Sequence, residues 1–155
     1  MPKKNWSDLK PMQIGRYAEY YAKMEFTSYG WEVYTSEVDD HGVDFVAKSP
    51  ESNHFYEVQV KAARKPQKIF IGKDKMPEET LDSRIVCFLW FADGKMPDFY
   101  IIPGTAWRHP NAAIAEYKYD KPGLKCNPEW SLNVSEKNRV LFEPYRSETI
   151  LEHLK

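Results

Sequence analysis

A chain of 155 residues, 42% hydrophobic and 29% charged, has the size and composition of one ordinary globular unit, which excludes a collagen-like, disordered or disulfide-framework protein. No stretch reaches the roughly 20 apolar residues of a membrane span, and the polar residues 1–8 lack the apolar core of a secretory signal. The two cysteines, Cys87 and Cys126, have no metal-binding spacing, so a cytoplasmic, intracellular protein with reduced thiols and no membrane partner is expected.

The formal net charge of −1 carries no global basic footprint, but the charge is unevenly placed. Residues 61–75 hold six basic side chains (Lys61, Arg64, Lys65, Lys68, Lys73, Lys75) against the single acid Asp74. Residues 32–44 hold five acids (Glu32, Glu37, Asp39, Asp40, Asp44) and no Lys or Arg. An acidic block next to a basic one suits a metal site beside a phosphate track.

In chain order, residues 11–29 read as a helix, with Ile14, Ala18, Tyr21 and Glu25 on one stripe, Tyr17, Ala22 and Met24 flanking it, and Gly30 as its C-terminal cap. Residues 31–35 alternate as a strand, 38–42 form a loop, and 43–48 form a second strand. Turn chemistry at 49–53 leads into a third strand at 54–63, which pairs antiparallel with the second. A basic, Pro-broken stretch follows, then a short helix at 77–81. Residues 84–92 form the most apolar run and read as a central buried strand. Residues 99–102 give another strand, 111–116 a short helix, 130–134 a strand, and residues from 135 onward helices, the last at 148–155 carrying Ile150, Leu151 and Leu154 for packing or a dimer surface. This order describes a single-domain α/β protein with a mixed central β-sheet flanked by helices.

The chemistry concentrates on the second and third strands. With Lys48 opposite Phe55, Asp44 falls across from Gln59. Directly opposed Cβ atoms lie ~4.5–5.5 Å apart, and the diagonal Lys61 lies ~7–8 Å away. A carboxylate, an amide oxygen and an ammonium then converge at one end of the sheet. Mg2+ takes one or two carboxylates with water and phosphate oxygens, and Mn2+ is a possible substitute. Asp44 supplies the anion, Gln59 a neutral ligand, a backbone carbonyl near Val60 a third, and Glu19 on the first helix a second carboxylate. Lys61 suits a water or a pentacoordinate phosphate.

The ordered segments Gly15-Arg16-Tyr17-Ala18-Glu19, Gly30-Trp31-Glu32-Val33, Gly42-Val43-Asp44-Phe45-Val46-Ala47 and Glu57-Val58-Gln59-Val60-Lys61 resemble the PD-(D/E)XK nuclease superfamily, and most closely its small branch of archaeal Holliday junction resolvases and compact homing or restriction endonucleases. The resemblance covers about residues 12–105 and leaves 106–155 as a C-terminal extension. It implies a restriction-endonuclease-like αβββαβ core with a four-stranded mixed sheet, acting as a Mg2+-dependent endonuclease on DNA. In that role Asp44 matches the metal-binding aspartate, Gln59 the variable second ligand, Lys61 the catalytic lysine and Glu19 the helix glutamate. Two departures stand out: Val43 replaces the motif's proline, and Gln59 stands where an acid is usual. Glu57, two residues away on the same face, is the alternative ligand.

Arg64, Lys65, Lys68, Lys73 and Lys75 are candidate phosphate contacts, each adding about one unit to the salt slope of binding. His41 reads as a solvated loop histidine, and most aromatics, Trp107 and Trp130 included, as core. A small enzyme of this kind acts as a homo-oligomer, a dimer or higher, to cut both strands. The alternatives are a catalytically inactive nuclease-fold module that binds nucleic acid or a protein partner, and a nuclease acting on RNA or branched junctions.

Overall fold

The computed structural model describes residues 1–37, 42–123 and 125–154. Residues 38–41, with Asp39, Asp40 and His41 and most of the loop expected at 38–42, lie outside the described residues. Helix α1 spans Pro11–Ser28, with Pro at its first position and the Gln13 side chain accepting the Lys10 backbone N–H at 2.8 Å. Its buried stripe is Ile14, Ala18, Ala22 and Phe26, one residue round from the expected Tyr21 and Glu25, and Met24 is exposed. Phe26 decides the rotation by packing edge-on against Trp31 and Phe45. The helix ends in a Schellman motif: Gly30 sits at φ +86°, its N–H bonds Thr27 O, and the Trp31 N–H bonds Phe26 O. Gly15, inside the helix, costs it about 1 kcal/mol relative to alanine.

Eight strands follow: β1 Glu32–Thr35, β2 Phe45–Lys48, β3 Phe55–Ala63, β4 Gln67–Gly72, β5 Arg84–Trp90, β6 Asp98–Pro103, β7 Ile114–Tyr117 and β8 Glu129–Val134. The first sheet has five strands in the order β1-β2-β3-β5-β6, with β3 and β5 parallel and the other pairs antiparallel. The β2–β3 register runs from Lys48↔Phe55 to Phe45↔Val58, as the sequence predicts. All seven residues of β5 are buried, and each large apolar side chain among them contributes roughly 1.5–3 kcal/mol.

The two faces of this sheet carry separate cores. Helix α1 packs on Val58, Ile85, Cys87, Leu89 and Ile101. The opposite face, with Val86, Phe88, Trp90, Tyr100 and Ile102, meets Ile71, Ile114, Trp130 and Leu132 of a three-stranded sheet ordered β4-β8-β7. The mixed α/β class with flanking helices is as expected; the sheet has five strands where the resemblance implies four, and its second face is covered by the three-stranded sheet together with the helical residues Leu81, Trp107 and Phe142. The β3–β5 crossover carries β4 and a 3-10 helix at Glu78–Ser83 rather than an α-helix. Trp107 and Trp130 are core residues, at 1% and 2% exposure.

Two further expectations are corrected. Residues 111–116 are not helical. The Asn111 side chain accepts the N–H groups of Ala113 and Ile114 at 2.8 Å, a local turn that competes with helix, and Ile114 then pairs with Leu132. The basic stretch after β3 contains strand β4, whose Ile69 and Ile71 turn inward while Lys68 and Phe70 remain exposed.

The chain closes with α2 Arg139–Phe142 and α3 Ser147–His153; Leu151 is buried, and Ile150 and Leu154 pack against the α1-side core. Asp98 anchors this end: its carboxylate meets Arg139 and Arg146 at 3.0 Å each and Lys95 at 3.2 Å. No helix among the described residues is long and apolar enough to cross a membrane.

Candidate functional site

The site begins where β2 leaves β3. Past Phe45↔Val58 the register breaks: the Asp44 N–H bonds Val58 O at 2.8 Å, the residue already paired with Phe45. The Asp44 side chain then takes over, its Oδ2 accepting the Val60 N–H at 2.6 Å. A carboxylate thus stands in for the next residue of a strand. Gly42, at φ +71°, supplies the left-handed backbone that turns the chain away.

Beneath this clamp lies Cys87, fully buried on β5 in register with Val60. Burial pushes its thiol well above the ordinary value, and the nearby Asp44 charge adds to the effect. The thiol stays neutral and inert, as expected of a core cysteine.

Asp44 and Glu19 line one open cavity of about 240 Å³, together with Met12, Gly15, Arg16 and Val60. A second cavity, of about 690 Å³, is lined by Lys61, Arg64, Lys65 and Gln67 at the end of β3 and by Pro11, Ile14 and Gly15 of α1. Gly15 and Val60 belong to both. The two hollows share these wall residues and so adjoin between the second half of β3 and the first half of α1; this groove has Asp44 and Glu19 in one part and Lys61, Arg64 and Lys65 in the other.

Glu19 is 18% exposed and is held by Lys23 at 3.0 Å and Arg16 at 3.8 Å. Gln59 is not among the residues that line the Asp44 cavity: the β2–β3 pairing ends at Phe45↔Val58, short of the expected Asp44–Gln59 pair, and the Gln59 amide lies beside Gly42 and Lys75. A Cβ built on Gly42 would stand 3.3 Å from Gln59 Nε2 and 3.6 Å from Lys75 Cβ. The divergence of β2 explains the difference: Asp44 is the last residue held to β3, so its side chain is free of the pleat and turns to Val60 and the α1 side. Glu57 lines neither cavity. Its Oε2 takes the guanidinium of the buried Arg84 at 2.5 Å, and Arg84 also donates to the Lys75 carbonyl.

The basic run divides. Lys61, Arg64 and Lys65 border the groove. Arg64 also pins the N-terminal segment, donating to Trp6 O at 2.8 Å and Leu9 O at 2.7 Å. Lys75 is near Gly42. Lys68 lies over the Tyr117 ring at 5.0 Å, and Lys73 pairs with Glu116 and lies 4.2 Å from the Trp130 ring, so both belong to the second sheet. Gly15, Arg16 and Arg84 were given no functional role from the sequence, although Gly15 and Arg16 stand in the first motif segment. Arg16 carries a signal in its i,i+3 spacing from Glu19, and Gly15 in its place inside a helix.

As a cation site the groove offers oxygen donors. Among the described residues no group of three or more His, Cys, Asp or Glu side chains is arranged to hold a metal, but two carboxylates, Asp44 and Glu19, line the smaller cavity. One or two carboxylates with water are the ligand set that Mg2+ takes.

No family model and no curated protein matches the chain. Solved structures do. Hjc, a Holliday junction resolvase from the archaeal hyperthermophile Archaeoglobus fulgidus, superposes with a TM-score of 0.56 at 10% identity, covering 89% of this chain and 95% of its own. The bacterial homing endonuclease I-Ssp6803I superposes with a TM-score of 0.53 at 17% identity, covering 94% of this chain and 92% of its own. The chain has the mixed α/β fold of these two nucleases, as the four sequence segments imply.

Proposed function

We propose that this protein is a metal-dependent endonuclease that hydrolyses phosphodiester bonds in DNA. The observation that carries the reading is the single groove joining Asp44 and Glu19 to Lys61, Arg64 and Lys65 through Gly15 and Val60. Two nuclease neighbours of the same fold support it, one a Holliday junction resolvase and one a homing endonuclease.

Asp44 and Glu19 are the residues that would hold Mg2+, or Mn2+ in its place; Gln59, whose amide lies beside Gly42 and Lys75, is the candidate neutral ligand. A bound divalent cation supplies charge neutralisation at the phosphodiester and a water of lowered pKa. Val60 holds Asp44 in place through its N–H. Lys61 brings a compact positive charge to the phosphate as negative charge accumulates on its oxygens. Arg64 and Lys65 bind flanking phosphates, and Lys68, Lys73 and Lys75 are candidate contacts outside the groove. Residues 1–155 act as one nuclease-like unit with its motif core at about 12–105. The protein works inside the cell as a dimer or higher oligomer, because one groove accommodates the cutting of one strand.

The test is incubation of the purified protein with supercoiled, linear, branched and single-stranded DNA, and with RNA, in Mg2+ or EDTA. Cleavage in Mg2+ only, reduced at least about 10²-fold by Lys61→Ala, is the expected result. Cleavage that survives EDTA, or is untouched by Lys61→Ala, overturns the reading. A second reading, an inactive module that binds nucleic acid, is favoured by the position of Gln59 beside Gly42. It predicts DNA binding with no cleavage and no Mg2+ or Mn2+ site tighter than millimolar by calorimetry.

A further inference from the structure

We infer that a phosphodiester strand crosses helix α1 directly over Gly15, and that the side chain missing there is what opens the passage between the acidic and basic ends of the groove. The inference rests on the proposed function and names the path of its substrate.

Three observations converge on this glycine. First, nothing among the described residues requires it. Gly15 is not among the glycines with positive φ, so its backbone is open to any residue. A Cβ built on it meets no atom within 4 Å, so packing does not exclude a side chain either. Second, the position is unfavourable for folding, since glycine is among the weakest helix formers and Gly15 lies well inside α1. Third, Gly15 is one of two residues that line both cavities. The other, Val60, stands on the facing strand with its N–H held by Asp44.

An anionic strand bound along Lys61, Arg64 and Lys65 must pass between Gly15 and Val60 to bring a phosphate to Asp44 and Glu19. A side chain at 15 would stand in that passage. Glycine admits close approach of a ligand where any Cβ would hold it off.

The test is a size series, Gly15→Ala and Gly15→Leu, measured by thermal melting, by anisotropy of a labelled duplex and a labelled four-way junction in EDTA, and by cleavage in Mg2+. The alanine variant is expected to melt higher than the natural protein by roughly 2–4 °C, because it removes only a helix penalty, and the leucine variant higher as well. Affinity is expected to fall with side-chain size, tenfold or more for leucine, with cleavage falling in parallel. Gains in stability combined with losses in binding are not produced by a merely structural role. A leucine variant that binds and cuts like the natural protein overturns the inference. So does one whose loss of binding accompanies a lowered melting temperature. A natural protein that neither binds nor cuts either probe brings down the reading of the site itself, and is recognised as such before any variant is compared.

Discussion

Asp44→Asn and Asp44→Ala, made as a pair, separate what the carboxylate does for the fold from what its charge does in the groove. In the folded protein its Oδ2 accepts the Val60 N–H at 2.6 Å. Asparagine keeps an oxygen at that position; alanine leaves the N–H with no acceptor at the edge of β3. A hydrogen bond to an ionised group contributes about 1.5–3 kcal/mol. Water from the adjoining 240 Å³ cavity replaces part of it, leaving a cost of about 1–2 kcal/mol for alanine. For a chain of this length that is a fall in Tm of roughly 2–8 °C, while asparagine is expected to melt within about 2 °C of the natural protein. Metal-dependent cleavage is expected to drop at least about 10²-fold in both. Calorimetric melting at neutral pH beside a cleavage time course reads out all four quantities. An alanine variant that melts with the natural protein, or an asparagine variant that falls as far as alanine, refutes the clamp. Retained cleavage in both removes Asp44 from the chemistry.

Glu57→Gln tests whether Glu57 serves Arg84 or a metal. The pair is half in solvent on the glutamate side, at 54% exposure, so the expected cost is about 1–2 kcal/mol with cleavage unchanged; loss of cleavage without loss of stability would reverse the assignment. Lys65→Ala is expected to weaken DNA binding and to reduce the slope of log affinity against log salt by about 0.9. Lys73→Ala, on the second sheet, is expected to leave that slope alone and lower only the melting temperature. Asp98→Asn tests the C-terminal anchor. Burial pushes the Asp98 carboxyl up, but hydrogen bonds and charge from Arg146 and Lys95 outweigh it and hold the group below its ordinary 3.8. With a depressed folded value, the stabilisation is present above pH 3.8 and is lost as pH falls through the folded value. The variant is therefore expected to cost about 2 kcal/mol at neutral pH, and the gap in urea midpoints is expected to close on acidification. A gap independent of pH would refute the charge argument.

What the sequence disclosed and what it withheld have physical causes. The β2–β3 hairpin could be registered because turn residues 49–53 join two runs whose buried positions alternate, and only one pairing puts Phe45, Ala47, Tyr56 and Val58 together. Helix α1 was legible from its spacing, but not its rotation, which Phe26 settles against residues distant in sequence. Strand β4 was hidden by its neighbours: Pro66 and the surrounding lysines read as a loop, and the alternation of Lys68, Ile69, Phe70 and Ile71 becomes meaningful only once β8 pairs with it. Asn111 and its two following alanines suit a helix or a turn equally, and pairing with β8 chose the turn. In the groove, extending the register set Asp44 across from Gln59, but the pairing stops at Phe45↔Val58, so neither that pair nor the direction of each side chain follows from it. The directions depend on β2 starting only at Phe45 and on Arg84 claiming Glu57, which needs the parallel β3–β5 pairing to bring it near.

The course of the chain after β3 binds the motif-bearing segment to the tail. Strand β4 follows the basic lip of the groove within a few residues, and it sits at the edge of its sheet with β8 as its neighbour. A fragment cut after residue 105, although it retains every recognisable motif, would strip β4 of all six of its ladder partners, from Val134 to Glu129, and bare the underside of β5. The residues without a motif are thus the scaffold that keeps Arg64 and Lys65 in place, and any minimal version of this protein has to carry them.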